Sequence, residues 1–218
     1  MSGIVGSKFN IRGSGLVGSL GTDGQHMLSA GAGKSNVFET VAAASAGLTK
    51  LHSITTADAT TTIITFDSTY ITSTYDLYLL AGWVRPENDA AYLLIRTQSS
   101  GSDDTGSTDY GTETGYYGYN GFDGDNDAAF IRPKHGGTFG GNQAGEGVHL
   151  QCWIANPTSS SYPTIFQGHN IAVQQDGVHE SSDWSAARYV SANDGISIYW
   201  DTDDHNTGSS LTLYGVTK

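Results

Sequence analysis

The sequence is poor in cysteine and in basic residues. Its single cysteine, Cys152, excludes a disulfide within the chain and any zinc cluster built from cysteines. Lysine and arginine together number 10, against 22 aspartates and glutamates, which gives a formal net charge of −12. Nucleic acids and anionic membranes recruit basic side chains, so neither is expected as a partner. The acidity suits a protein that stays soluble at high local concentration or within an assembly.

Long hydrophobic runs are also missing. No stretch reaches the roughly 18 apolar residues of a membrane-spanning helix. The first residues do not combine a basic segment with an apolar one, as a secretory signal would. We therefore expect a protein that is made in a cytoplasm and remains soluble.

Complete catalytic motifs are lacking as well. "SAGAGKSNV" ends like a P-loop at Gly33, Lys34 and Ser35, but Leu28 stands where the first glycine belongs. "GSGLVG" (13–18) spells a dinucleotide fingerprint, yet the glycines after it break the helix that this motif needs. The seven histidines form no zinc-hydrolase motif, and no G-x-S-x-G is present. We predict no enzyme and no nucleotide cofactor. A glycan hydrolase, whose two carboxylates meet only in the fold, is the enzymatic alternative, with no residues to name.

The residues that are abundant indicate short strands joined by turns. The chain holds 29 glycines, and only 37% of its residues are hydrophobic. Apolar residues alternate in short segments separated by polar loops, and no strand–helix–strand alternation is visible. This pattern predicts an all-β protein, an antiparallel β-sandwich of jelly-roll type. Strands are expected at 61–66, 75–84, 91–97, 128–132, 147–154, 164–173, 195–200 and 210–216.

The alternating segments also predict the core of the sandwich. Its expected members are the apolar residues at every second position. Cys152 shares such a face and is expected to be a small buried thiol. The predicted core residues are Leu77, Leu79, Leu93, Ile95, Leu150, Ile154, Ile196, Ile198, Leu211 and Leu213.

Composition divides the chain into three parts. Residues 1–36 are rich in glycine and hold apolar residues only in ones and twos, too few for a core. They are predicted to form an extended N-terminal arm for assembly or attachment. Residues 37–50, "VFETVAAASAGLTK", are predicted to be a linker with room for a short helix. Residues 51–218 form the predicted sandwich body.

The best metal candidate is "DGDND". Asp123, Asp125 and Asp127 recur at every second position, as oxygen ligands do at the start of a calcium loop. The EF-hand pattern is not met, because Ala128 and Lys134 occupy the positions of its glycine and its glutamate. The competing interpretation, a solvated turn rich in aspartate and glycine, is favoured. Calcium is therefore the one candidate cofactor.

Two further segments have a distinctive composition. "DTDD" (201–204) is a second acidic loop. "YGTETGYYGYNGF" (110–122) interleaves tyrosine with glycine, which suits a subunit contact or a plain strand, and also suits a ligand-binding surface. We rank the subunit contact and the strand above ligand binding.

The segment "DGQHMLSAGAGKSNVF" (23–38) resembles a short segment of tailed-phage fibre and virion proteins. In those proteins it tends to belong to an intertwined trimer or an attachment arm. Leu28 departs from the pattern, because a threonine is commoner there. The matching residues are Asp23, Gly24, Gln25, Met27, Ser29, Gly31, Ala32, Gly33 and Phe38.

The body resembles a domain of marine phage structural proteins, and the resemblance is carried by residues 66–101, 147–169 and 208–218. It implies a non-enzymatic virion protein on the exterior of the phage particle, made in the host cytoplasm. We expect a homotrimer whose arm binds the major capsid protein or another virion protein. A capsid decoration protein, of cement or head-fibre type, is favoured because the chain lacks shaft repeats. The alternative is a tail-fibre or receptor-binding module that recognises a host surface glycan.

Overall fold

The protein is described by a computed structural model, and every regular element in its described ranges is a β-strand. No helix in these ranges is long and apolar enough to cross a membrane. The chain divides into two compact units, Met1–Ser45 and Ala46–Lys218. The described residues are 26–28, 37–39, 47–57, 60–89, 91–116, 122–133, 140–174, 177–189 and 191–216, with the backbone alone described for 26–28, 37–39, 113–116 and 122–127.

The first unit contains a two-stranded antiparallel sheet. Strand β1 (His26–Leu28) pairs with β2 (Val37–Glu39), and Met27 lies opposite Phe38. The predicted linker therefore begins in a strand, and its last residues, from Leu48 onwards, belong to a strand as well. A short helix there is restricted to residues 40–46, which lie outside the described residues. The N-terminal arm stays a prediction, because most of residues 1–36 lie outside them too.

The second unit contains two antiparallel sheets. In spatial order, the large sheet consists of β3 (Leu48–Thr55), β14 (Ser210–Val216), β5 (Leu77–Val84), β10 (Gly147–Ala155), β11 (Thr164–Val173), β12 (His179–Arg188), β8 (Tyr110–Tyr116) and β9 (Phe122–Ala128). The small sheet consists of β4 (Ile63–Phe66), β13 (Gly195–Trp200), β6 (Leu93–Ser99) and β7 (Ser102–Asp103). The chain passes repeatedly between the sheets, so each sheet combines strands that are distant in sequence.

The two sheets bury their facing side chains in one hydrophobic cluster, which confirms the predicted all-β sandwich. The jelly-roll connectivity stays a prediction. Cys152 is fully buried in this cluster, as expected, and burial raises the pKa of its thiol. Eight of the ten predicted core residues belong to the cluster: Leu93, Ile95, Leu150, Ile154, Ile196, Ile198, Leu211 and Leu213.

The prediction was wrong about the core-facing side of β5. Tyr78, Leu80 and Val84 are the residues of this strand that join the cluster. Leu77 is half-buried, and Leu79 is buried outside the cluster. Both sides of β5 are apolar, so alternation alone does not indicate which side meets the second sheet.

The strand predictions also differ from the structure elsewhere, and β3, β7 and β9 were not among the predicted strands. Residues 128–132 were expected to form a strand, but β9 ends at Ala128, and Ile131 makes only an isolated bridge to Ile95. Strand β12 was not predicted. Its core-facing positions include Ser182 beside Trp184, so its hydrophobic alternation is weak.

The sandwich contains one buried histidine among its described residues, His205. His205 makes isolated bridges to Thr61 and Pro86 and is fully shielded from solvent. Its Nδ1 accepts a hydrogen bond from Trp200 Nε1 at 3.1 Å, and its Nε2 donates to the carbonyl oxygen of Ile198 at 3.1 Å. This pattern requires the neutral ring, and burial lowers the pKa of His205.

Candidate functional site

The side of the large sheet that faces away from the small sheet is the candidate site, and we call it the outer face. It is defined by the alternate residues of its four strands β14, β5, β10 and β11. None of these sixteen residues is aspartate, glutamate, lysine or arginine, although 15% of the chain is charged. They are Ser210, Thr212, Tyr214, Val216, Leu77, Leu79, Ala81, Trp83, His149, Gln151, Trp153, Ala155, Ile165, Gln167, His169 and Ile171.

One end of the outer face carries a continuous apolar row. The strand register aligns Val216, Leu77, Ala155 and Ile165 across the four strands. Leu48 extends the row onto the edge strand β3. Leu48 and Ile165 are 49% and 46% exposed, so the row is open to solvent.

The next row places two aromatic residues beside a leucine. Tyr214 and Trp153 are the cross-strand neighbours of Leu79 on either side. Leu79 is only 8% exposed although it points away from the core, because the large neighbouring rings shield it. Both rings are partly exposed themselves and contribute aromatic surface to the centre of the face.

The charged residues nearest the face lie on its neighbouring strands: the exposed Lys50 on β3 is opposite Tyr214, and Asp183 on β12 is opposite His169. Ser53 and Thr212 share a hydrogen bond of 2.7 Å between their hydroxyls. On neighbouring β12, Asp183 Oδ1 lies 2.7 Å from Nδ1 of His169. This exposed pair contributes little to stability, but it gives the carboxylate nearest the face a partner. The last row carries Trp83 and Ile171, the latter 41% exposed.

A surface without charged residues and with partly exposed aromatic rings is suited to binding another macromolecule. Interface cores are depleted of charged residues and enriched in aromatic ones, and they exclude water around a few large side chains. The partly exposed Trp83, Trp153 and Tyr214 match that description. Burying them adds hydrophobic stabilisation without the cost of removing a charge from water.

The predicted calcium ligands lie at the far edge of the same sheet. Asp123, Asp125 and Asp127 belong to β9, so the backbone of "DGDND" is a strand and not the loop that the spacing indicated. Asp123 pairs with Thr114, and Asp125 pairs with Thr112. The side chains of the three aspartates lie outside the described part of the chain, and calcium binding stays a prediction. Among the residues that are described, no group of three or more metal-ligating side chains occurs.

The acidic stretch 201–204 borders an open cavity of about 330 Å³, together with Thr62 and Trp200. Two of its three carboxylates accept hydrogen bonds from Asn88 and Tyr92. Asp201 Oδ1 accepts a hydrogen bond of 2.8 Å from the backbone N–H of Tyr92. Asp203 Oδ1 accepts one of 2.9 Å from the side-chain amide of Asn88. The stretch therefore has a structural role in joining two loops.

The tyrosine-rich segment begins as a plain strand, in agreement with one of its two favoured interpretations. Tyr110 at the start of β8 is fully buried. Its hydroxyl accepts a hydrogen bond of 2.9 Å from the backbone N–H of Thr97, and burial raises its pKa to about 12. Residues 117–121 of this segment, and the P-loop-like Gly33–Ser35, lie outside the described residues.

Sequence reasoning did not identify the outer face, although it noted that both sides of 75–84 are apolar. That double-sided pattern was the available signal, because a strand with one solvated side alternates more cleanly. Comparison with known proteins adds no relative: no family model, curated protein or solved structure matches the chain.

Proposed function

We propose that this chain is a non-enzymatic structural protein of a tailed-phage virion. It forms a homotrimer that decorates the outside of the capsid, with residues 1–36 as the anchor to the major capsid protein or another virion protein. Calcium is its one candidate cofactor. The observation that carries the proposal is the uncharged outer face of an otherwise acidic body. The resemblance of residues 23–38 and of the body to phage structural proteins supplies the class of assembly.

A decoration protein assembles at high local concentration. Decoration proteins cover a particle in many copies, so they need attractive contacts at defined surfaces and repulsion elsewhere. The net charge of −12 provides repulsion between randomly oriented copies. A surface without charge and with partly exposed aromatic residues provides a place where that repulsion is absent.

A reconstruction of particles of the phage that encodes the chain tests this function. We expect trimeric density on the capsid exterior, with the sandwich projecting outward and the chain present in the purified particles by mass spectrometry. Deleting residues 1–36 is expected to abolish attachment or trimerisation and to leave a soluble, folded body. Particles that lack the chain contradict the proposal, and a truncated chain that trimerises and attaches normally contradicts the role of the arm.

A tail-fibre or receptor-binding module that recognises host glycans is the second candidate. The observation in its favour is the set of partly exposed rings, Trp83, Trp153 and Tyr214, beside the hydrogen-bonding side chains of His149 and Gln151. Aromatic rings stack on sugar rings, and amide groups bind hydroxyls. Titration with host surface polysaccharide, followed by tryptophan fluorescence, distinguishes this function when Trp153→Ala is the comparison.

A further inference from the structure

The electrostatics of the outer face restrict what binds to it. The chain carries a formal net charge of −12, so two copies repel each other at most relative orientations. The outer face holds no charged side chain on its four strands. Of the charges beside it, Asp183 lies next to His169, and Lys50 lies opposite Tyr214 with the opposite sign. Contact between two such faces avoids placing like charges together, whereas a basic partner would gain more from the acidic loops.

The size of the outer face is also adequate for a specific contact. Neighbouring strands lie about 4.8 Å apart, and alternate residues of one strand are about 6.7 Å apart. The four strands, with four outward residues each, therefore cover roughly 500 Å², and the neighbouring strand β3, with Leu48 and Lys50, raises the area to roughly 650 Å². A standard interface buries about 800 Å² on each partner, so the face and its rim reach that class.

The composition of the face favours protein over carbohydrate. The exposed aliphatic residues Ile165 and Ile171 lie at opposite ends of β11, and Leu48 extends the apolar row. Aliphatic side chains of this kind gain from burial against another apolar surface, and sugars present mostly hydroxyls. In a homotrimer one side of the face on each copy contacts the opposite side of the face on the next copy. Both sides are apolar here, because β11 carries Ile165 and Ile171 and β3, on the other side, carries Leu48.

We infer that the outer face is the surface through which copies of this chain bind one another. This inference rests on the homotrimer of the proposed function and assigns its interface to β14, β5, β10 and β11. Burial of the apolar row and of the aromatic residues provides the attraction.

Charged substitutions on the large sheet, compared with one on the small sheet, test this assignment in the full chain. Ile165→Asp combined with Ile171→Asp places two carboxylates on the outer face. The control is Ile63→Asp on β4 of the small sheet, where the isoleucine is 44% exposed, close to the 46% of Ile165. Light scattering measures the mass. We expect the wild type and the control to have three times the chain mass of 23.0 kDa, and the double variant to have 23.0 kDa.

The outcomes separate this inference from the proposed function. A double variant that keeps the wild-type mass overturns the interface assignment and leaves self-assembly intact. A wild type that is monomeric at all concentrations overturns the inference and the homotrimer together. If that monomer changes its tryptophan fluorescence with host polysaccharide, the face belongs to glycan recognition. Circular dichroism verifies that the double variant is folded.

A cross-linking measurement does not depend on the stability of the charged variant. Gln151→Cys introduces an exposed thiol at the centre of the outer face, while the native Cys152 is fully buried. A photo-cross-linker attached there, in a mixture of unlabelled and ¹⁵N-labelled chains, is expected to link outer-face peptides of two copies. Ser68→Cys, in an exposed turn, is the control and is expected to give no such links. Links confined to residues 1–45 overturn the inference in favour of the N-terminal unit as occupant.

Discussion

The two faces of the large sheet use the same strands and have opposite properties. In β10, Leu150, Cys152 and Ile154 are fully buried against the small sheet. Between them, Gln151 is exposed and Trp153 is partly exposed on the outer face. Because side chains of a strand alternate between its two sides, one sequence encodes a buried surface and a partly exposed surface at the same time.

Apolar residues occur on both faces of β5, because Leu77 and Leu79 lie outside the core cluster and Leu80 lies inside it. Hydrophobicity alone therefore does not identify the core-facing side. The inner face is mostly apolar and buried, so its side chains contribute to the free energy of folding, although Asn170 and Ser182 are buried polar exceptions. The outer face is less apolar and has no charged side chain on its four strands. Most of its side chains are partly exposed to solvent, so part of its hydrophobic surface is accessible to a partner. Variants on the two faces test this division.

Truncating a leucine on each face gives the sharpest contrast. Leu211→Ala removes a fully buried side chain and is expected to cost about 2–5 kcal/mol of unfolding free energy. Leu77→Ala, on the outer face, removes a half-buried side chain and is expected to cost about 1 kcal/mol in the monomer. Urea unfolding measures both. A cost below about 0.5 kcal/mol for Leu211→Ala would place that residue on the surface.

Gly168 tests how tightly the inner face is packed. A Cβ atom on Gly168 would lie 2.1 Å from the buried ring of Trp184, so the ring or the strand must move. Gly168→Ala is expected to destabilise the protein by about 1–3 kcal/mol. Gly111→Ala is the control, because a Cβ there meets nothing within 4 Å. If the two variants unfold at the same denaturant concentration, the packing of Trp184 on Gly168 is contradicted.

His205 makes stability depend on pH from within the sandwich. Burial lowers its pKa, whereas in the unfolded chain it titrates near 6.5. The unfolded state therefore binds more protons below about pH 6.5. This contribution to stability is fully present above that pH and is lost as the pH falls towards the folded-state pKa. The loss is expected to reach about 1.4 kcal/mol per pH unit at most.

Unfolding free energies between about pH 7.5 and 5.5 measure this slope. His205→Asn is expected to be less stable at neutral pH, because the hydrogen bonds to Trp200 and Ile198 are lost. Its stability is also expected to fall less steeply with acid. His149→Asn, at an exposed position, is the control for the substitution itself. Equal slopes in all three proteins would exclude His205 as the source.

The smallest effect concerns calcium at the edge of the large sheet. Calcium at ten times its dissociation constant is expected to stabilise the folded chain by about 1.4 kcal/mol. Thermal melts with and without chelator, in magnesium-free buffer, measure this shift. Asp125→Ala is expected to lose it, and Asp201→Ala, from the other acidic stretch, is expected to keep it. Coincident midpoints for the wild type would leave "DGDND" without bound calcium.

The predictable part of the structure depends on local pattern. Alternating residues in 147–154, 195–200 and 210–216 predicted strands that the structure contains with nearly the same bounds. Strand β12 escaped prediction because a polar residue, Ser182, occupies one of its core-facing positions. This segment is a strand because its backbone pairs with β11 on one side and β8 on the other.

The candidate site is the part that sequence did not predict. Val216, Leu77, Ala155 and Ile165 are far apart along the chain and become one row only through three antiparallel pairings. Register between distant strands depends on which faces are buried together, and that is a property of the whole domain.

Local sequence pattern was sufficient to predict the all-β class, seven of the fourteen described strands and the acidic, glycine-rich character of the loops. These follow from period-two alternation and from the conformational preferences of single residues, which are local. The direction of Tyr78 and Leu80 towards the core depends on the packing of the two sheets, and so does the uncharged outer face that four strands share. The reason is that a strand with two apolar sides is compatible with either orientation, and only packing against the second sheet selects one.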